Sequence, residues 1–369
     1  MGDQHPGVFV EEIPGAPRPI DGVSTSTAGF IGAAGAPFDG AYVRGPLEFT
    51  RRWPEGSAVA DAIEQFFANG GLVAWVGSVK KLRPRAVRRA VAALDRDVSV
   101  VAVVADPAPS PEVIAAAAEA LAGRRAMLLI EGSWADAPSA IAALSSDDRG
   151  RRVGAGGADV AVYWPRVRSD GGDGGDGIVK EISPLGPVAG MIARTDGERG
   201  VFTAPAGADA TLRGVVEPVA ATTLAQQEAL NEHGVNVIRR LPQGRTVVWG
   251  ARTQSLDPEW KYVPVRRTVL FLEESLDRGL EWVTFEPNGE ALWRAVTGAV
   301  QDFLHRTWRQ GALQGAKPEE AFFVKCDRTT MTQNDIDSGR LVCSIGIAPL
   351  RPAEFVIFSI GKWTADASD

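Results

Sequence analysis

Cysteine is nearly absent from this chain: Cys326 and Cys343 are the only two among 369 residues. Two thiols cannot staple a fold of this length, and a chain this long buries enough surface without staples. The sequence permits a disulfide between them without requiring one, and buried, reduced thiols are the expectation. Histidine is as scarce, at His5, His233 and His305, and no zinc-ligand spacing results. No metal site and no cofactor are expected. Long apolar runs are missing too, since Asp106, Pro107 or Glu131 interrupts the most apolar stretches, so no membrane insertion is expected. Excess positive charge is lacking: a net charge of −7 argues against nucleic acid as the main partner. The opening MGDQHPG has neither the basic nor the apolar region of a secretory signal, and Pro6 stands where N-myristoylation needs Ser or Thr. Synthesis and folding in the cytoplasm are expected.

Catalytic signatures are equally thin. No G-x-S-x-G, no G-x-x-x-x-G-K-[ST] and no H-E-x-x-H occurs. Gly29-x-x-Gly32-x-x-Gly35 follows a strand, but Pro37 and Gly40 come after it where a dinucleotide site needs a helix. Close backbone packing is the expected role of these glycines. Asp170, Asp173 and Asp176 lie among glycines as in calcium-binding repeats, yet as one copy without the locking apolar residue. They are read as a solvated loop tip.

What is present is a globular composition, 45% hydrophobic and 23% charged, over a length that suggests two domains. Strand-like runs at 72–79, 98–105, 126–131 and 158–164 show little polar alternation. Helical patterns at 61–68, 83–94 (strongly basic) and 111–122 separate them. That order describes a mainly parallel α/β sheet covered on both faces. Beyond the SDGGDGGDG loop at 169–177, Gly and Pro become frequent. Short strands at 235–239 and 246–249 and helices at 265–278 and 288–310 remain, and this half reads as α+β. The expected division is an arm at 1–22, an outer α/β domain at 23–185, an α+β core domain at 186–352 and a second arm at 353–369.

The helix at 288–310 places Leu292, Val296, Val300, Phe303 and Thr307 on one face, widened by Trp293, Leu304 and Trp308. Its other face carries Arg294, His305, Arg306 and Arg309. That stripe is either a solvated helix face or a dock for a regular acidic partner. The two arms are strand-like and apolar. One is Val8, Phe9, Val10, Glu11, Glu12 and Ile13; the other is Glu354, Phe355, Val356, Ile357, Phe358, Ser359 and Ile360, continuing to Trp363. Such terminal strands are an aggregation hazard unless paired, by the chain's own sheet or by a neighbouring copy's. Pro14, Gly15, Pro17 and Pro19 at one end, and Pro352 at the other, provide short, semi-rigid hinges.

Several strings, in order, resemble contractile tail sheath proteins of phages, phage-tail-like extracellular injection particles and R-type pyocins. They are PGVFVEE, RPIDGVSTSTAGFIG, FFANGG, VAGMIARTDGERGVFTAPAG, GVNVIRRLPQGRTVVWGARTQSLDPEWKYVPVRR, EWVTFEPNGEALW, WRQGALQGAKPEEAFFVKCD and RPAEFVIFSIGKW. The resemblance implies a structural, non-enzymatic subunit that polymerises as stacked hexameric rings around an inner tube. It implies arms exchanged between copies as added β-strands, and collapse from a metastable extended lattice to a shorter one that drives the tube through a target envelope. It further implies baseplate and terminator or cap proteins as partners, an outward-facing α/β half, and the Arg294–Arg309 stripe against the tube. An α/β enzyme with a cofactor at the strand C-termini is the alternative.

Overall fold

The computed structural model describes residues 18–33, 38–52, 56–146, 157–170 and 179–354. They form two compact units. One holds residues 23–272 with 349–354, the other residues 18–22 with 273–348.

The larger unit begins with β1 (Ala28–Gly32), β2 (Phe38–Val43), α1 (Pro46–Arg52), α2 (Ala58–Ala68), β3 (Ala74–Ser78) and α3 (Pro84–Ala92). It continues through β4 (Val100–Val103), α4 (Pro111–Leu121), β5 (Met127–Glu131), α5 (Ala137–Ser146) and β6 (Val160–Trp164). Then come β7 (Val167–Ser169), β8 (Lys180–Ile182), α6 (Leu185–Arg199), β9 (Val215–Pro218), α7 (Leu224–Glu232), β10 (Val235–Arg240) and β11 (Thr246–Trp249). Eight strands make one sheet in the order β11-β10-β6-β5-β4-β1-β3-β2. Its six inner strands are mutually parallel, and the edges β2 and β11 run antiparallel to their neighbours. β8, β7 and β9 form a small antiparallel sheet.

The near-continuous apolar strands follow from burial on both faces. On β5, Met127 and Leu129 point into one core with Phe66 of α2 and Val188 of α6, whereas Leu128 and Ile130 point into the other with Val91 of α3 and Ile114 of α4. α2 and α6 approach so closely that a Cβ at Gly186 would sit 2.5 Å from Ala62 O, and one at Gly190 2.2 Å from Phe66 O. Asn69 ends α2 fully buried: its amide donates to Gln65 O (2.9 Å) and Arg213 O (3.0 Å) and accepts from Arg213 N (2.7 Å). The FFANGG string is thus a helix terminus with its polar groups satisfied.

Local differences from the sequence expectation have identifiable causes. Ser57, not Asp61, caps α2, its side chain accepting from Ala60 N. α6 escapes periodicity because Gly186, Pro187, Gly190 and Gly197 interrupt it; Pro187 lies in the first turn, where proline is tolerated. The compact units divide within α8 (Val263–Gly279). β10 pairs parallel to β6, so the 235–240 strand extends the α/β sheet.

The smaller unit contains the last residues of α8, then α9 (Glu290–Arg309), α10 (Pro318–Ala321), β12 (Phe322–Lys325), α11 (Gln333–Asp337) and β13 (Ser344–Ile347). α9 buries Leu292, Trp293, Val296, Val300, Phe303, Leu304 and Thr307, the face its periodicity indicates. β12 and β13 pair antiparallel as a two-stranded ribbon.

Candidate assembly surfaces

The points from which the two arms depart are both fixed. In the smaller unit, Ile20 is fully buried, and a Cβ at Gly279 would come within 2.5 Å of its Cγ2, so glycine at the end of α8 makes its seat. The Ile20 carbonyl accepts from Arg306 Nη2 at 2.6 Å, and Arg18 stacks 5.4 Å from the Trp282 ring centroid. Pro19, between them, is exposed. Val8, Phe9, Val10, Glu11 and Glu12, with Pro14, Gly15 and Pro17, lie outside the described residues.

In the larger unit the fixed point is Glu354. Arg252, only 8% exposed, grips it through Nε–Oε1 at 2.8 Å and Nη2–Oε2 at 2.6 Å. Tyr262 Oη donates to Oε2 at 3.2 Å, and Lys261 Nζ stands 3.6 Å away. Arg252 is itself oriented, donating from Nη1 to Asn231 O (2.8 Å), while its backbone exchanges hydrogen bonds with the Asn236 amide. Burial alone would raise the Glu354 pKa; the hydrogen bonds and charge of Arg252, with Lys261 and Tyr262, outweigh it and hold the carboxyl below its usual range. Pro352 is half-buried two residues before this clamp. Phe355, Val356, Ile357, Phe358, Ser359 and Ile360 lie outside the described residues.

The ribbon is the third element. Among the described residues neither β12 nor β13 pairs with any strand but the other. A two-stranded ribbon is marginal alone, and open edges invite added strands. Phe323 is 58% exposed and lies across Gly346, where a Cβ would meet its ring at 2.0 Å.

On the basic stripe of α9, Arg294, Arg306 and Arg309 are exposed and His305 is partly buried. Arg306 holds Ile20, and His305 packs on Trp308 with ring centroids 5.5 Å apart. Asp302 interrupts the stripe. Sequence reasoning found these residues but missed Arg252, Gly279 and the buried pair of Arg267 with Asp196, whose Nη1–Oδ1 and Nη2–Oδ2 distances are 2.8 and 2.6 Å. The only available signal for Arg252, Arg267 and Asp196 was their place inside family-like strings, and Gly279 lies outside them.

Strand order reverses between β1 and β4, where doubly wound sheets bind ligands. There a Cβ on Gly32 would meet Val59 Cγ2 at 2.4 Å and Val104 O at 2.5 Å, so the crevice is filled. Gly29 likewise packs on Val98 and Leu94. A cleft of about 520 Å³ lies elsewhere, beside the end of β5 and the start of α4. Pro111, Ile114, Ile130, Trp134 and Leu144 line it with Glu131, and among the described residues no histidine, cysteine, lysine or arginine does. Burial raises the Glu131 pKa, and Ser183 and Arg166 offset this only in part; neither carboxylate oxygen has a well-formed hydrogen bond. No helix among the described residues is long and apolar enough to cross a membrane.

Residues 87–254 match the phage tail sheath protein central domain and residues 255–361 the phage tail sheath C-terminal domain. The chain belongs to the phage tail sheath family. It is therefore a structural sheath subunit, and its relatives agree. The anti-feeding prophage (AFP) helical sheath in its contracted state is 31% identical, with a TM-score of 0.77, covering 99% of this chain and 100% of that one. A chain of the sixfold-symmetrised AFP baseplate structure is 30% identical, with a TM-score of 0.76 and coverage of 98% and 100%. The contracted sheath of the PVC extracellular contractile injection system is 26% identical, with a TM-score of 0.77 and coverage of 100% and 99%. A curated Pseudomonas aeruginosa (strain UCBPP-PA14) protein, named as a prophage major tail sheath protein, is 24% identical over 190 residues. That alignment spans 49% of this chain and 47% of the relative, so the chain spans about half the length of the curated relative it matches.

Proposed function

We propose that this subunit polymerises as stacked six-membered rings around an inner tube and is held to its neighbours by exchanged terminal strands. The observation that carries this reading is a two-stranded ribbon that pairs with no other strand among the described residues, in a chain whose apolar ends follow two clamped points, Ile20 and Glu354. Strand addition satisfies the edge donors and acceptors, and alternate side chains set register. Residues 8–13 and 354–363 are the donors. Pro14, Gly15, Pro17, Pro19 and Pro352 are the joints that let each body turn while pairing persists.

The subunit acts mechanically and not as an enzyme. Assembly leaves the lattice extended and metastable, and collapse moves each body as a rigid unit. Gains of about 1–3 kcal/mol per interface, the scale of allosteric couplings, add over many subunits. Arg294 and Arg309, with His305 and Arg306 behind them, face the tube, and baseplate and terminator proteins close the two ends. Assembly takes place in the cytoplasm and the particle acts outside it.

Removal of residues 355–369 tests the exchange. The truncated chain is expected to keep its circular dichroism and melting behaviour yet form no tubes in negative-stain micrographs. Tubes indistinguishable from those of the full chain would overturn exchange at this end.

A further inference from the structure

The chain's only two cysteines stand at the same end of the β12–β13 ribbon, one residue beyond each strand. The ladder pairs Phe322 with Ile347 and Lys325 with Ser344, so its next rung sets Cys326 opposite Cys343. The rung type follows from the far end, where Ala348 N donates to Ala321 O at 2.8 Å. Counting from that hydrogen-bonded pair, 323/346 and 325/344 are hydrogen-bonded rungs and 326/343 is not. In antiparallel ribbons the non-hydrogen-bonded rung brings Cα atoms to about 4.5 Å, inside the range a disulfide spans. Both thiols are free; Cys326 is buried and Cys343 partly exposed.

We propose that Cys326 and Cys343 form a cross-strand disulfide in an oxidising medium, stapling the β12–β13 ribbon after the chain leaves a reducing compartment. The oxidant is a small-molecule disulfide. The more exposed Cys343, as thiolate, attacks one oxidant sulfur; the oxidant S–S bond breaks and one thiol departs with the proton. Cys326 then attacks Cys343 Sγ, the second thiol leaves with the Cys326 proton, and the protein S–S bond closes. Two protein thiols are thereby oxidised as one small-molecule disulfide is reduced to two thiols. Burial pushes the Cys326 thiol up to about 12 and also raises Cys343. Thiolate attack is therefore slow at neutral pH and faster in alkali.

The effect on assembly rests on the strand-exchange reading, because a stapled ribbon offers donor strands a fixed edge. The chemistry is read separately, on the full, unassembled chain. It is equilibrated with glutathione disulfide, quenched in acid, denatured and alkylated with iodoacetamide before intact-mass measurement. The expected product has lost two hydrogens and takes up no label, whereas Cys326→Ser stops with one glutathione attached at Cys343. Hydrogen exchange across residues 322–347 should slow by about 100-fold in the oxidised chain, the scale of closing a loop this long. Two labelled cysteines, two glutathione adducts, chain-to-chain disulfides or unchanged exchange would each overturn the staple. Failure of the arm truncation to prevent tube formation would overturn strand exchange at the C-terminal end and leave this result untouched.

Discussion

The Arg252–Glu354 clamp gives the most quantitative test. Its two side chains are 10% and 15% exposed and joined by two short hydrogen bonds. At an effective dielectric near 20, opposite charges about 4 Å apart attract by about 4 kcal/mol. Desolvating both ions offsets part of this, which leaves a net coupling on the order of 2 kcal/mol. Glu354→Gln keeps the shape but leaves Arg252 facing a neutral amide, and should cost about 2 kcal/mol; Arg252→Met should cost at least as much, because it also abandons Asn231 O. The double variant should recover about 2 kcal/mol of the summed loss in a double-mutant cycle of urea unfolding. The sign with pH follows from the depressed Glu354 pKa. The folded state binds the proton less readily than the unfolded state. The contribution is therefore complete above the ordinary carboxylate value of 4.5 and is lost as pH falls through the folded pKa. Glu354→Gln should flatten that acid limb. A coupling under about 0.5 kcal/mol, or an unchanged acid limb, would refute the clamp.

Other consequences are quickly stated. Gly279→Val places atoms where Ile20 sits and should cost about 2 kcal/mol of burial, read as a lower midpoint of urea unfolding. Glu131→Gln should stabilise the protein at neutral pH, with the gain shrinking toward pH 4.5 because a carboxyl raised by burial regains stability as it protonates; equal melting temperatures at neutral pH would count against this. Reversing charge at Arg294 and Arg309 should weaken sheath docking on the tube in co-sedimentation while leaving the melting temperature in place, and unimpaired docking would put the tube-facing surface elsewhere.

Much of the parallel sheet was legible because strands buried on both faces lose polar alternation, as Val100–Val103 and Met127–Glu131 do. α9 was legible because one face repeats Leu292, Val296, Val300 and Phe303. α6 was not, since the glycines that let it lie against α2 are the residues that erase its helical signature. The membership of β10 in the main sheet depends on pairing residues 73 apart in the chain, which no local pattern encodes. The candidate site shows the same split. Apolar arms announce themselves by composition. Arg252 and Gly279 look ordinary until the fold places them beside Glu354 and Ile20.

A helical reconstruction of assembled tubes, at a resolution that traces the backbone, reaches the heart of the matter. Residues 8–13 and 354–363 should lie as extra strands against the β12–β13 edges of other copies. If both segments instead pair within the subunit they come from, leaving no strand shared between copies, the account is wrong.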